Sequence, residues 1–380
     1  MDAEVIVVGG GVIGTAIAWR AARAGRTVTI IDPGTDDKAS LVAAGMLGPV
    51  SESVFGEQDL LNLNLHAIGR FPSFNAELEE TAGSVTGLRT EGTLAVACNN
   101  DDLAALDRLT AFRHSLGLAA ERLDAKTCRR LEPFLAPSIR GGVLAVGDLS
   151  VDNRRYLAAL RAAAAGAGVR TVVGSVTQVA DATDGGIQVR LPAMSAGVRP
   201  TELSAGHVVI AAGWATGHID GLPDQIRKAV RPVKGQILRL RQPGKLPPVL
   251  SHTVRAIVGG RDIYLVPRAD GELVVGATQE ERDDRDVTAG AVHDLLRDAM
   301  IAVPAISELT LAEANAGRRP GTSDNGPILG SLTGTNGLII ATGHFRNGVL
   351  LSAITADAVA ALLTGDQPHP AWAPFHPSRL

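Results

Sequence analysis

The sequence predicts an α/β plus α+β protein, in which a doubly wound domain is interleaved with a second domain built on an antiparallel sheet. Three observations predict it. The chain opens as strand, glycine turn, helix, strand. Strand–helix segments return near the centre and at the C-terminal end. Between them lie blocks of short strands punctuated by turn residues.

The opening "EVIVVGG" is a short run rich in valine and isoleucine, as expected of a strand buried on both faces. "GVIGTAIAWRAARAG" has helical apolar spacing and a natural stop at Gly25. "RTVTIID" is a second buried strand, which completes a βαβ unit and implies a parallel sheet. From about 87 to 146 short strands ("GTLAVAC", "GGVLAV") alternate with polar helical pieces. "YLAALRAAAAGAGVRTVVG" reads as helix then strand, and "ELSAGHVVIAAGWAT" as a strand running into a glycine turn. "QILRLR", "IYLVPR" and "GELVVGAT" read as strands of an antiparallel sheet. A helix is expected over about 289–302. "GLIIATG" and "GVLLSAITADAVAALLTG" then close the chain as strand and helix. The division that follows assigns 1–85, 147–225 and 310–380 to a discontinuous α/β domain, and 86–146 and 226–309 to a domain built on the antiparallel sheet.

Composition is that of an ordinary globular protein: 380 residues, 45% hydrophobic and 20% charged. That length exceeds what one core usually holds, so two domains are expected. A net charge of −4 and a pI near 6.1 give no footprint for nucleic acid or for an anionic membrane surface. Cys98 and Cys128 have neither metal-ligand nor disulfide-framework spacing. No metal site, signal peptide or membrane span of about 18 apolar residues is read, and a cytoplasmic location is expected.

"VIVVGGGVIG" carries GxGxxG as Gly9, Gly11 and Gly14. The first glycine serves the tight turn, the second the close approach of a pyrophosphate, and the third helix–strand packing. The helix N-terminus offers free N–H groups to phosphate. Asp32 ends the second strand at the distance where a carboxylate binds ribose hydroxyls, although an acid at a strand end can also be merely solvated. This Rossmann-like fingerprint does not choose between NAD and FAD. An NAD domain is usually contiguous, whereas α/β segments split by β-rich insertions suit a long cofactor such as FAD.

"ASLVAAGMLGPVSE", "RPVKGQIL", "YLVPR", "VVGATQE", "RRPGTSDNGPILG" and "ATGHFRNGVLL" follow the fingerprint in order. Together they resemble glycine oxidases of the ThiO type, within the D-amino-acid-oxidase-like family of FAD-dependent amine oxidoreductases. The resemblance spans nearly the whole chain. It implies oxidative deamination of glycine or a small amine by hydride transfer to flavin N5, with oxygen returned as peroxide. It also implies a product that serves assembly of the thiazole of thiamin, a homo-oligomer, and transfer of product to a thiazole synthase. Gly9, Gly11, Val12, Ile13, Gly14 and Asp32 would hold the ADP half of FAD. Ser40 and the loop Ala43, Ala44, Gly45, Met46, Leu47 would pass the phosphates and the flavin ring. Val176 and Gly213 would line the adenine side. Gly343, His344, Arg346, Asn347, Gly348, Val349 and Leu350 would pass beneath the flavin.

The resemblance makes Arg319 the partner of the substrate carboxylate, with Tyr264 donating a hydrogen bond and Arg346 near the substrate. Flavin chemistry needs no protein nucleophile or metal, but it does need a cation that aims the α-carbon at the ring. Arginine's planar fork suits that task. Arg319 precedes Pro320, which favours an extended backbone; its bland alternative is a salt bridge to an acid such as Glu313. Tyr264 could equally be a core tyrosine, Met46 could be packing, and Lys234 could sit near the flavin or be solvated. For Arg346 the alternatives are a cation facing FAD and a domain interface. His344 reads as an orienting neighbour rather than a base. The chain departs from the family pattern at Asp32 (often Glu), Arg318 (often apolar), Asp262 (where histidine can occur) and Gln279 (where methionine can occur). The cysteines lie away from every flavin segment, so FAD is expected to be non-covalent. Three rival readings are a D-amino-acid or sarcosine-type oxidase or dehydrogenase, a flavoprotein without amine oxidase activity, and an NAD-dependent dehydrogenase.

Overall fold

A computed structural model describes residues 1–183, 185–192, 200–244 and 248–380. Its first sheet runs Ile328–Ser331, Leu338–Thr342, Thr201–Ile210, Ala3–Val8, Val28–Asp32, Arg170–Val173. All neighbours from Leu338–Thr342 onwards pair in parallel. The central strands Ala3–Val8 and Val28–Asp32 are packed on both faces, so they read as nearly continuous apolar runs rather than alternating. One face packs Val5, Val7 and Ile30 against Trp19, Phe71, Tyr156 and Leu351 from four helices. The other packs Ile6, Val8 and Ile31 against Leu222 and Ile226. Each fully buried aliphatic side chain contributes about 1.5–3 kcal/mol relative to exposure.

The helix Gln58–Ala82 belongs to the first of these layers. Pro72 lies inside it, and an interior proline reads as a break in sequence. The C-terminal helix packs against it and against Val12–Arg23. Over Phe345–Thr364 the C-terminal segment is long and apolar enough to cross a membrane, with a window of mean hydropathy 1.5, but 67% of that window is buried inside the protein. Those apolar side chains face protein on nearly all sides, as in the central helix of a core. Arg346 and Asp357 interrupt the segment, so it holds no unbroken run of about 18 apolar residues.

The second sheet runs Thr310–Gly321, Arg231–Arg241, Glu272–Gly276, Arg261–Pro267, Thr253–Val258, Thr93–Ala97, Gly141–Ala145, Glu121–Asp124. It is antiparallel except where Thr253–Val258 meets Thr93–Ala97, two segments far apart in sequence. Leu238, Leu265 and Val275 on its outer face pack beneath the helix Ala289–Ala302. The inner face looks toward the first sheet. Thr310–Gly321 pairs along its length with Arg231–Arg241. Thr310–Gly321 is thereby an edge strand of the second sheet. "GRRPG" carries no strand signal, and only its partner makes it a strand.

Candidate active site

The cavity between the two sheets measures about 660 Å³. Its first wall is the glycine turn. Gly9 sits at φ +110°, and a Cβ there would lie 2.4 Å from the carbonyl oxygen of Ala211. Gly14 does not line the cavity; a Cβ on it would reach within 1.9 Å of the Gly9 carbonyl oxygen, so glycine is required where helix and turn touch. Gly11 is different. A Cβ there meets only the Ser40 hydroxyl, at 3.1 Å, and otherwise points into open cavity. Ser40 Oγ accepts from the Val12 N–H at 3.0 Å, which ties the 39–45 loop to the helix start.

Asp32 is buried and already engaged. Its Oδ2 accepts from the Gly10 N–H at 2.7 Å, and its Oδ1 from the Gly34 N–H at 2.8 Å; Lys38 Nζ lies 2.9 Å from Oδ1. Burial pushes its pKa up, but Lys38 and the two N–H groups outweigh that and hold the carboxyl below its ordinary range. A carboxylate offers about four acceptor positions, so a ribose hydroxyl would share this group with the turn. Lys38 carries no local signal in the sequence.

Two helix N-termini face the cavity, those of Val12–Arg23 and Gly348–Thr364, and neither N-cap residue caps its helix with a side chain. Such ends favour negative charge. Val12, Ile13, Ala43, Ala44, Gly45, Met46, Val176, Gly213, Gly343, His344, Gly348 and Val349 all line the cavity. Gly213, at φ +58°, has nothing near a built Cβ. Leu47 and Leu350 are buried in the core, and Asn347 is buried beside the loop; none of the three lines the cavity. For Leu47 the reason is strand alternation: Met46 faces the cavity and the next side chain points away.

His344 is buried, and its Nε2 lies 3.0 Å from Thr355 Oγ1. That hydroxyl donates to the Leu351 carbonyl at 2.7 Å, so His344 donates to it from Nε2–H and Nδ1 carries no proton. Burial lowers its pKa to about 3. The unfolded chain takes up this proton near its ordinary pKa of 6.5, whereas the native chain does not. Stability therefore falls as pH drops from about 6.5 toward 3, by up to about 1.4 kcal/mol per pH unit. His344→Gln is expected to flatten the acid limb of a plot of Tm against pH. An unchanged slope between pH 7 and 5 would exclude this origin.

The second wall is the inner face of the antiparallel sheet. Residues paired directly across strands share a face, and so do residues two apart along a strand. The register pairs Gly317 with Gly235, Ile237 with Gly276, Gly276 with Tyr264, and Tyr264 with Arg255. Arg319, two residues beyond Gly317, and Asp262, two before Tyr264, therefore belong to the same face. Two glycines clear its centre. A Cβ on Gly235 would lie 2.1–2.4 Å from the Arg319 guanidinium, and one on Gly276 would lie 2.4–2.6 Å from the Tyr264 ring and hydroxyl. The Arg319 guanidinium thus lies across Gly235.

Arg319 Nη1 donates to the Thr278 carbonyl at 3.2 Å, and no carboxylate lies within salt-bridge distance among the described residues. Glu313, the alternative partner, is instead held by Arg154 at 2.6 Å. Burial raises the pKa of the Tyr264 hydroxyl, and the nearby Arg319 guanidinium opposes that rise. Because an alanine methyl would collide only with the movable end of Arg319, Gly235→Ala is expected to keep the fold and the bound cofactor. It should displace the guanidinium and raise KM for an anionic substrate by about tenfold. An unchanged KM would mean that Arg319 does not act from this position.

Arg346 lines the cavity but is paired with Glu57, which Asn325 Nδ2 also contacts at 2.7 Å. Its charge is therefore compensated within the protein, which the sequence did not anticipate. Phe345 beside it adopts φ +45°, a strained conformation for a non-glycine residue. Arg318 stacks 3.6 Å from the centroid of Trp214 and pairs with Asp37 and Asp283. Arg255 pairs with Glu52 at 3.0 Å inside the cavity. Neither residue of that pair carries a sequence signal; strand register alone brings Arg255 beside Tyr264. Lys234 is fully buried against Asp284 rather than solvated. Arg268, the last residue of "YLVPR", is buried and donates to the carbonyls of Ala44 at 2.6 Å and Val151 at 3.0 Å, and so fixes the loop that forms the cavity floor.

These features fit a long dinucleotide: a glycine cradle, two helix N-termini, an acid at the strand end and an open trough between two sheets. Comparison with known proteins agrees. The family described as DAO, FAD dependent oxidoreductase, matches residues 4–362. Glycine oxidase of Geobacillus kaustophilus is 34% identical over 99% of this chain and 97% of its own. Its crystal structure superposes with a TM-score of 0.88 at 33% identity, covering 100% of this chain and 99% of that one. The bifunctional protein ThiO/ThiG of Synechocystis sp. is 32% identical over 99% of this chain. The chain spans about half the length of that relative, 54%. On this family match and on the cradle described above, the chain belongs to the DAO family of FAD-dependent oxidoreductases, with FAD as its cofactor.

Proposed function

We propose that this protein oxidises the C–N bond of glycine, and of small relatives such as sarcosine or D-amino acids. The products would be glyoxylate (through its imine), ammonia and hydrogen peroxide. One observation carries the reading: among the described residues Arg319 is a guanidinium without a carboxylate partner, on the same sheet face as Tyr264 and inside the cofactor cavity. Bound FAD supplies the two-electron acceptor and passes the electrons on to oxygen. The chain's own part is orientation. Arg319 holds the substrate carboxylate in a bidentate pair, and the Tyr264 hydroxyl, close to that guanidinium, adds a hydrogen bond. Glycines 235 and 276 keep the floor low enough for a small substrate. Arg346, neutralised by Glu57, shapes the wall instead of binding the carboxylate.

The residues lining the glycine turn, the 39–47 loop and the 343–350 loop serve FAD in this reading. Cys98 and Cys128 do not line the cavity, which supports a non-covalent cofactor. Burial raises both thiols, to about 12 and about 11, leaving neither a ready nucleophile. The cofactor domain comprises 1–85, 147–225 and the chain after Gly321, with the strand Thr310–Gly321 assigned to the substrate domain. The relatives named ThiO/ThiG support a place beside a thiazole synthase in thiamin assembly, to which this chain hands its product; it would act there as a cytoplasmic homo-oligomer. The test is anaerobic mixing of the purified protein with glycine, sarcosine and small D-amino acids while the visible flavin band is followed. Bleaching by glycine and peroxide on return of air support the reading. A yellow protein that none of them bleaches refutes it, and bleaching without peroxide makes the enzyme a dehydrogenase.

A further inference from the structure

Among the described residues nine formally charged side chains line the cavity, and all but two are neutralised by protein partners. Asp32 pairs with Lys38, Glu52 with Arg255, Asp37 with Arg318, and Arg346 with Glu57. The two left over are Arg319 and Asp262. Asp262 has no hydrogen bond or ion pair among the described residues and is exposed to the cavity; its field reaches Arg113, but no contact joins them. Both unpaired groups lie on one face of one sheet, with Tyr264 between them. Asp262 is two residues from Tyr264 along its strand, about 6.6 Å. A glycine carboxylate on Arg319 and its adjacent amine are too short to reach both. Something longer is complementary to this pair: a carboxylate at one end and a cation several ångströms away. Gln279, a neutral amide at the same cavity, adds no compensating charge.

We propose that Asp262 sets substrate preference. It favours glycine derivatives and small amino acids whose N-substituent or side chain carries a positive charge, and it rejects those with a second carboxylate. The inference rests on the amine-oxidase reading, because it uses Arg319 as the carboxylate anchor. At several ångströms in a partly solvated site, one unit charge shifts affinity by about tenfold.

The test uses the FAD-loaded protein and ligands that cannot be oxidised. Butanoate, 4-aminobutanoate and succinate share a four-carbon chain and differ in the far group. Their dissociation constants are read from perturbation of the flavin absorption band. In the wild type 4-aminobutanoate should bind at least about tenfold more tightly than succinate. Asp262→Asn should narrow that ratio, and Asp262→Lys should reverse it. The kcat/KM ratio of N-(2-aminoethyl)glycine to iminodiacetate should move in parallel. Equal binding of the three ligands, or a ratio that survives Asp262→Asn, overturns the assignment while leaving the amine-oxidase reading intact. If Asp262→Asn depresses glycine turnover as much as that of the aminoethyl compound, the charge serves the α-amino group and the assignment to the arm is wrong. If butanoate does not bind in an Arg319-dependent way, the underlying reading fails and the inference falls with it.

Discussion

Arg319→Ala is expected to raise KM for glycine by about two orders of magnitude, with FAD still bound at full stoichiometry. A bidentate, charge-assisted pair in a partly closed site is worth roughly 3 kcal/mol, which converts to about that factor. The side chain lies on the antiparallel sheet, away from the glycine turn, so its loss leaves the ADP cradle untouched. Its one hydrogen bond among the described residues goes to the Thr278 carbonyl, which water can satisfy in the emptied space. Arg319→Lys should recover only part of the loss, because an ammonium cannot make the planar two-point contact. Steady-state kinetics together with the flavin-to-protein absorbance ratio decide the matter. Wild-type KM in the alanine variant would move the anchor elsewhere, and loss of yellow colour would make Arg319 a cofactor residue.

The second large effect is expected at Gly11. Gly11→Val should yield folded, colourless protein, with FAD affinity reduced by two decades or more, on the order of 3 kcal/mol. The reason is spatial. A Cβ on Gly11 meets only the Ser40 hydroxyl at 3.1 Å, so the fold can absorb it by a small shift. The branched remainder of valine then occupies the approach to the helix N-terminus, where a pyrophosphate must come close to backbone. Gly14→Val offers the contrast. Its Cβ would meet the Gly9 carbonyl oxygen at 1.9 Å, against backbone that cannot yield, and it should destabilise the protein itself. Circular dichroism and the flavin spectrum separate the two outcomes. A fully loaded Gly11→Val protein would overturn the pyrophosphate assignment.

Much of the cofactor side was legible in the chain. The first strand, the glycine turn and the following helix are contiguous, and their signals are local: apolar runs of fixed length, glycine spacing, an acid at the strand end. The helix Ala289–Ala302 and the final strand–helix pair were legible for the same reason. Less was legible where a residue's fate depends on a partner elsewhere in the chain. "GRRPG" becomes a strand only because Arg231–Arg241 lies beside it. Arg346 looks like a site cation in sequence, yet Glu57, nearly three hundred residues earlier, neutralises it. Lys234 looks like a surface lysine, yet it is fully buried on Asp284.

The sequence alone determined the doubly wound domain, the dinucleotide cradle and the resemblance that points to amine oxidation, because each rests on short-range periodicity or on a motif read within a few residues. Only the tertiary structure decided which charges remain free. It pairs Glu52 with Arg255 and Glu313 with Arg154, and among the described residues it leaves Arg319 and Asp262 without an ion pair on one sheet face. The physical reason is that strand register places side chains from distant segments on a common face. A charge is neutralised or left available by what the register sets next to it, not by its neighbours along the chain.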